Sequence, residues 1–287
     1  MNFGKHSKKN KNIKSKKQKL LNNIIMLLAL VIFIFSTYQL IKWLQSNKKN
    51  KSIMEDILAD VVITEITDES NVEIINPEEA PTDLANDYWE FIKVPFTNVE
   101  FSNLLNRNSD TVAWLQVNGT NINYPVVQTS NNDYYLAHAF DNSYNSSGWI
   151  FADYRNNIVN LNRNTIIYGH NMLNNSMFGT LPDVLKSNWY ENSDNHLVKM
   201  STPTENTVWQ VFAVYEIPAI DEAYHLNTNF VTDNLYIEFL EIIKSRSKYN
   251  FNVQLTKQDK VITLSTCANN TNNRVILHAK LIKRELK

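Results

Sequence analysis

The chain has 287 residues, 28 Lys and Arg against 29 Asp and Glu, 43% hydrophobic residues and a single cysteine. One cysteine excludes an internal disulfide and, with no paired ligand spacing among six histidines, argues against a zinc site. The net charge of −1 is a cancellation: residues 1–51 hold twelve lysines and no acid, residues 52–90 hold twelve acids and no Lys or Arg, and the remainder is nearly neutral. No basic field suited to nucleic acid is left.

In chain order, residues 1–19 form a basic tail with eight lysines, expected to stay cytoplasmic. Leu20 to Ile41 carries no charge. At about 1.5 Å per residue this stretch reaches roughly 33 Å, enough to cross a hydrocarbon core of about 30 Å. Phe35-Ser-Thr-Tyr-Gln-Leu40 offers no small-x-small cleavage site, so the segment reads as a retained transmembrane anchor rather than a signal peptide. Residues 42–81 follow as an acidic extracellular stem, since like charges extend a chain, although Ile53 to Val62 has some helical periodicity.

Residues 82–287 are long enough for one domain with its own core. Strands are expected at 114–117, 123–127, 148–151, 165–168, 207–215, 261–266 and 275–282, with Asn118-Gly119 a turn signal between the first two. Short strands separated by loops predict a mainly β fold closed into a barrel. Helices are expected over 99–105 and 234–245. The second follows Thr232-Asp233 and carries Leu235, Phe239, Leu240, Ile242 and Ile243 at helical spacing, just before the cysteine strand.

That strand, Val261 to Thr266, ends at Cys267. The turn-like stretch 268–273 contains no acid, and Arg274 then opens an alternating run. If the two strands pair antiparallel, Cys267 leaves one where Arg274 enters the other. By parity Cys267 shares a face with Thr263 and Ser265, and Arg274 shares one with Ile276, His278 and Lys280, which predicts a mixed polar surface. Among the histidines, His170 follows the strand-like Thr165-Ile-Ile-Tyr168 and Gly169, where a strand end can aim a side chain into a cleft. A thiol needs a basic neighbour to ionise near neutrality, and an imidazole supplies one.

Tyr168-Gly-His-Asn-Met172, Thr263-Leu-Ser-Thr-Cys267 and Arg274 together resemble the signature of sortases, from about residue 85 onward. Trp114-Leu-Gln-Val, Tyr124-Pro-Val-Val-Gln128, Asp133-Tyr-Tyr-Leu136 and Ile150-Phe-Ala-Asp-Tyr-Arg155 look like class B. The resemblance implies a membrane-anchored cysteine transpeptidase of a Gram-positive cell, with its catalytic domain outside. Such an enzyme cuts secreted proteins at a C-terminal sorting signal, often of Asn-Pro-x-Thr-x type. It then joins them to an amine such as that of a peptidoglycan precursor or cross-bridge.

It further implies Cys267 as nucleophile, His170 as acid and base, and Arg274 as donor to the substrate carbonyl. Asn132, Leu136, Tyr224 and Ser265 are implied as substrate-groove residues. No cofactor is expected, and the sequence shows no acidic cluster for calcium. His138, His196, His225 and His278 are taken as structural or surface residues. Other readings of the same residues are open. L,D-transpeptidases pair His with a later Cys but usually keep Arg almost adjacent, papain-like proteases reverse the order, and an anchored wall-binding module would simply bury Cys267.

Overall fold

A computed structural model describes residues 5–67, 71–75, 88–219, 226–267 and 273–287, with side chains from residue 18 onward and not at Cys267. Helix α1 spans Lys5–Asp60. Strands β1 (Ile63–Ile66) and β2 (Val72–Ile74) follow, then α2 (Tyr88–Ile92), β3 (Phe96–Val99), α3 (Ser102–Arg107), β4 (Thr111–Val117), β5 (Asn123–Val127), β6 (Phe151–Ala152) and β7 (Asn164–His170). The rest of the chain forms α4 (Ser187–Tyr190), β8 (Leu197–Ser201), β9 (Glu205–Pro218), α5 (Asp233–Ser245), β10 (Val261–Cys267) and β11 (Asn273–Leu286).

Contacts divide the chain into two units, residues 1–48 and 49–287. In the first, the large apolar side chains from Leu20 to Ile41 are each about half exposed or more. This part of α1 is long and apolar enough to cross a membrane.

In the second unit the expected mainly β barrel forms. Strands β4 to β11 run β7-β6-β5-β4-β8-β9-β11-β10, and β10 closes the ring by pairing with β7. The β7–β10 and β5–β6 pairs are parallel, and the other barrel pairs are antiparallel. Alternation fills the interior: Ile262 and Leu264 of β10 and Leu277, Ala279 and Leu281 of β11 join Trp114, Leu115, Ile167 and Trp209 in the main apolar core. Burying each large apolar side chain contributes roughly 1.5–3 kcal/mol.

The opposite face of β10 and β11 is not the mixed polar surface that parity predicts. Helix α5 covers it with Tyr236, Phe239, Leu240 and Ile243, one stripe at helical spacing, packed on Tyr215, Ile217, Val261 and Ile276. Thr232 begins this helix, its hydroxyl accepting the amide hydrogen of Leu235 at 3.3 Å. The polar residues beneath are buried and bonded: His278 meets Tyr215 Oη at 2.7 Å and Thr263 Oγ1 at 2.8 Å, and Thr263 Oγ1 donates to Asn164 Oδ1 at 2.6 Å.

The acidic segment differs from a solvated stem. Over 49–66 it packs on the barrel unit, with Ile57 buried and Ile53, Met54, Val61 and Ile63 partly so, and β1 pairs antiparallel with β3. Strand β2 pairs with β11. The strand expected at 148–151 is observed at Phe151–Ala152, and Gly148, with φ +55°, takes a left-handed conformation outside strand geometry.

Candidate active site

Three neighbouring strands end at one level. In the parallel β7–β10 pair, Cys267 is the register partner of His170. The antiparallel β10–β11 register runs to Ser265 opposite Ile276. Two residues further on, the same register sets Cys267 level with Arg274. The pairing is carried past Ser265 by a side chain, as the amide of Val275 donates to Thr266 Oγ1 at 3.0 Å. Arg274 is half-buried, opposite Ile217 of β9. Cys267, His170 and Arg274 therefore occupy adjacent register positions on three strands.

His170 is held by its surroundings. Its Nε2 lies 2.8 Å from the carbonyl oxygen of Leu136. A carbonyl only accepts, so Nε2 carries a proton and Nδ1 is the nitrogen that can take or release one. The main chain is pinned as well, since the amide of Phe178 donates to the His170 carbonyl at 3.0 Å. Gly169 is required here, because a Cβ would come within 2.6 Å of the Phe178 ring.

The expected groove residues have separate fates. Leu136 closes a short 3-10 turn and contributes through its carbonyl as well as its half-buried side chain. Ser265 is fully buried between Tyr168 and Ile276, and its hydroxyl has no hydrogen-bond partner among the described residues. Leaving such a group unpaired costs about 1–3 kcal/mol. Asn132 is engaged at both ends, donating to Asp153 Oδ2 at 3.0 Å and accepting from the Tyr154 amide at 3.0 Å. Tyr224 and His225, with residues 268–272 of the loop after Cys267, lie outside the described residues.

Asp153 is the residue that motif reading passed over. Buried completely, it accepts from Arg155 Nε at 2.8 Å, Arg155 Nη2 at 2.7 Å, Tyr168 Oη at 2.9 Å and Asn132. Arg155 also donates to the carbonyl of Leu226 at 3.0 Å. Burial by itself would raise the Asp153 carboxyl, but the hydrogen bonds from Arg155, Tyr168 and Asn132 outweigh it and hold the group below the ordinary carboxylate range. Its only sequence signal is its place in Ile150-Phe-Ala-Asp-Tyr-Arg155. Among the described residues, no group of three or more His, Cys, Asp or Glu side chains is arranged to hold a metal ion.

A family model described as the sortase domain matches residues 115–282. Sortase B of Staphylococcus aureus is 37% identical over 187 residues, 64% of this chain and 75% of that protein. Sortase B of Listeria monocytogenes is 30% identical over 267 residues, covering 92% and 98%. Among solved structures, a Staphylococcus aureus sortase B–substrate complex superposes with a TM-score of 0.60 at 38% identity, covering 64% of this chain and 84% of that one.

Proposed function

Given that the chain belongs to the sortase family, with class B members as its relatives, we propose that this cysteine transpeptidase cuts secreted proteins at a C-terminal sorting signal of Asn-Pro-x-Thr-x type and joins them to a cell-wall amine. The carrying observation is the register that sets His170, Cys267 and Arg274 level on three adjacent strands.

In this reading the Cys267 thiolate attacks the carbonyl carbon after the substrate threonine, and the oxygen becomes an oxyanion that Arg274 stabilises by charge-assisted hydrogen bonds. Collapse breaks the carbon–nitrogen bond. His170 gives the Nδ1 proton to the departing amine, leaving a thioacyl enzyme. The incoming amine loses a proton to His170, attacks the thioester, and releases Cys267 as thiolate. The Leu136 carbonyl orients the ring through Nε2, and the imidazolium, when formed, favours the thiolate. Thiol and imidazole then titrate as one coupled pair.

In this reading Leu136 lines the groove near the scissile bond and Ser265 lies buried beneath that region, while Asn132 and Tyr224 complete the groove further along. The apolar stretch 20–41 crosses the bilayer, with the lysine tail cytoplasmic and the barrel outside. No cofactor takes part.

The test is incubation of the protein with fluorogenic sorting peptides of different consensus, with and without an amine acceptor. Turnover that needs both Cys267 and His170 and diverts to an amide product is expected. Cleavage of unrelated peptides at comparable rates, with no amide formed, would overturn the reading in favour of a general protease.

A further inference from the structure

Residues 49–60 of α1, directly ahead of the barrel strands, grip the loop that holds His170. Residues 137–145 form a small hairpin. At its base the amide of Asn145 donates to the Ala137 carbonyl at 2.9 Å, and near its tip the amide of Ala139 donates to the Ser143 carbonyl at 2.9 Å. Leu136, whose carbonyl accepts from His170, enters this hairpin, and Gly148 leaves it. The Gly148 backbone abuts the imidazole: a Cβ placed there would lie 2.9 Å from His170 Cδ2 and 2.9 Å from the Leu136 carbonyl oxygen.

The helix holds the tip of that hairpin and its exit. Asn50, only 2% exposed, donates from Nδ2 to the Gly148 carbonyl at 3.1 Å and accepts from Asn145 Nδ2 at 2.7 Å. Lys49 pairs with Asp141 at 3.3 Å and donates to Ser143 Oγ. Below these contacts Ile57 is buried in the main core, Asp60 pairs with Arg107, and the Asp60 carbonyl accepts from Asn103 Nδ2 at 3.1 Å. A buried asparagine bonded at both ends of its amide, on a segment otherwise anchored by apolar packing, is what a fixed strap requires.

We propose that Asn50 is a positioning residue of the active site, keeping the Leu136 carbonyl and the Gly148 backbone in place against His170, so that the segment after the apolar stretch is part of the catalytic scaffold. The inference rests on the reading of His170 as acid and base. Losing the grip lets the hairpin move away from the ring, which removes the carbonyl that orients the imidazole and so weakens the support it gives the thiolate. Displacements of an ångström or less are enough to slow a reaction that depends on alignment.

The experiment uses the full chain in detergent micelles, comparing wild type with Asn50→Ala, Lys49→Ala, His170→Ala and a control, Ile243→Ala, whose site is on α5. Two quantities are read: sorting-peptide turnover, split into kcat and KM, and the pH dependence of Cys267 alkylation in the folded protein. Asn50→Ala is expected to lower kcat about tenfold with KM within about twofold, and to move the alkylation midpoint to higher pH. Lys49→Ala moves both the same way by about twofold, and serves if Asn50→Ala fails to fold. Ile243→Ala lowers the thermal midpoint without moving the alkylation curve.

If Asn50→Ala lowers only the thermal midpoint, leaving kcat and the alkylation curve of the folded protein as in wild type, the strap is structural and the proposal falls. Should His170→Ala retain turnover, the acid–base reading falls first and takes this one with it. Loss of turnover in His170→Ala alongside a silent Asn50→Ala overturns the strap alone.

Discussion

Two histidines share one face of the β7–β10–β11 sheet and have different fates. Their partners on β10, Thr263 for His278 and Cys267 for His170, are four residues apart, roughly 13 Å along the strand. His278 is 0% exposed under α5, with one nitrogen on Tyr215 Oη and the other on Thr263 Oγ1. His170 is half-buried where the strands end, with Nε2 on a main-chain carbonyl and a cysteine as its register partner. A histidine closed in by two hydroxyls and a helix fixes structure. The same side chain at the strand end, only half-buried and oriented through one nitrogen, can exchange a proton through the other.

The largest effects should separate these two ends. Cys267→Ala is expected to abolish amide formation from sorting peptides, by more than about 10³-fold, while the thermal midpoint stays near wild type. His170→Ala should lower kcat by about 10²- to 10⁴-fold, again with little change in stability. His278→Ala should do the reverse, leaving two buried hydroxyls short of a partner, destabilising by roughly 2–4 kcal/mol and sparing the activity of whatever remains folded. Denaturant unfolding and turnover measured on the same three preparations would break the comparison if His278→Ala lost activity before it lost stability.

Arg274→Lys sharpens the comparison within the strand-end set. Lysine keeps the charge but lacks the planar fork of donors, so a fall in kcat of about 10²- to 10³-fold is expected, with KM changed far less. An arginine that merely paired with a neighbour across the sheet would tolerate the exchange. Near-wild-type kcat in this variant would remove Arg274 from the mechanism.

The strand end was legible in the sequence because it depends on parity and loop length. Cys267 and Arg274 flank a short polar loop between two alternating strands, and Gly169-His170 closes a third. Parity alone does not say what covers a face, so His278 and Thr263 read as surface until α5 is laid over them. Strand β8 carries Lys199 amid apolar residues, with every position buried, so it shows no exposed alternation to find. In the acidic segment the helical periodicity of Ile53 to Val62 is legible, but the net charge points to a solvated stem and not to the packing of Ile53, Ile57 and Val61 on the core. The carbonyl of Leu136 is beyond any side-chain pattern, because every residue has one.

Asp153 gives a small expected effect on rate and the most direct one on pH. Its hydrogen bonds tie β6 to Tyr168, two residues before His170, to Asn132 and, through Arg155, to the chain at Leu226. With the folded carboxyl held below its ordinary value, the charge contributes stability that is fully present above about pH 4 and is lost as pH falls through the lower folded value. Asp153→Asn keeps the shape but turns a donor toward Arg155, Tyr168 or Asn132, so it should destabilise by roughly 2–4 kcal/mol at neutral pH and lower kcat only several-fold. Thermal midpoints from pH 7 down to pH 3 should then converge, because protonation removes from the wild type what the substitution has already removed from the variant. A gap that stayed constant over that range would mean that shape, and not charge, holds the knot together, and the strand-end histidine would then be braced by packing alone.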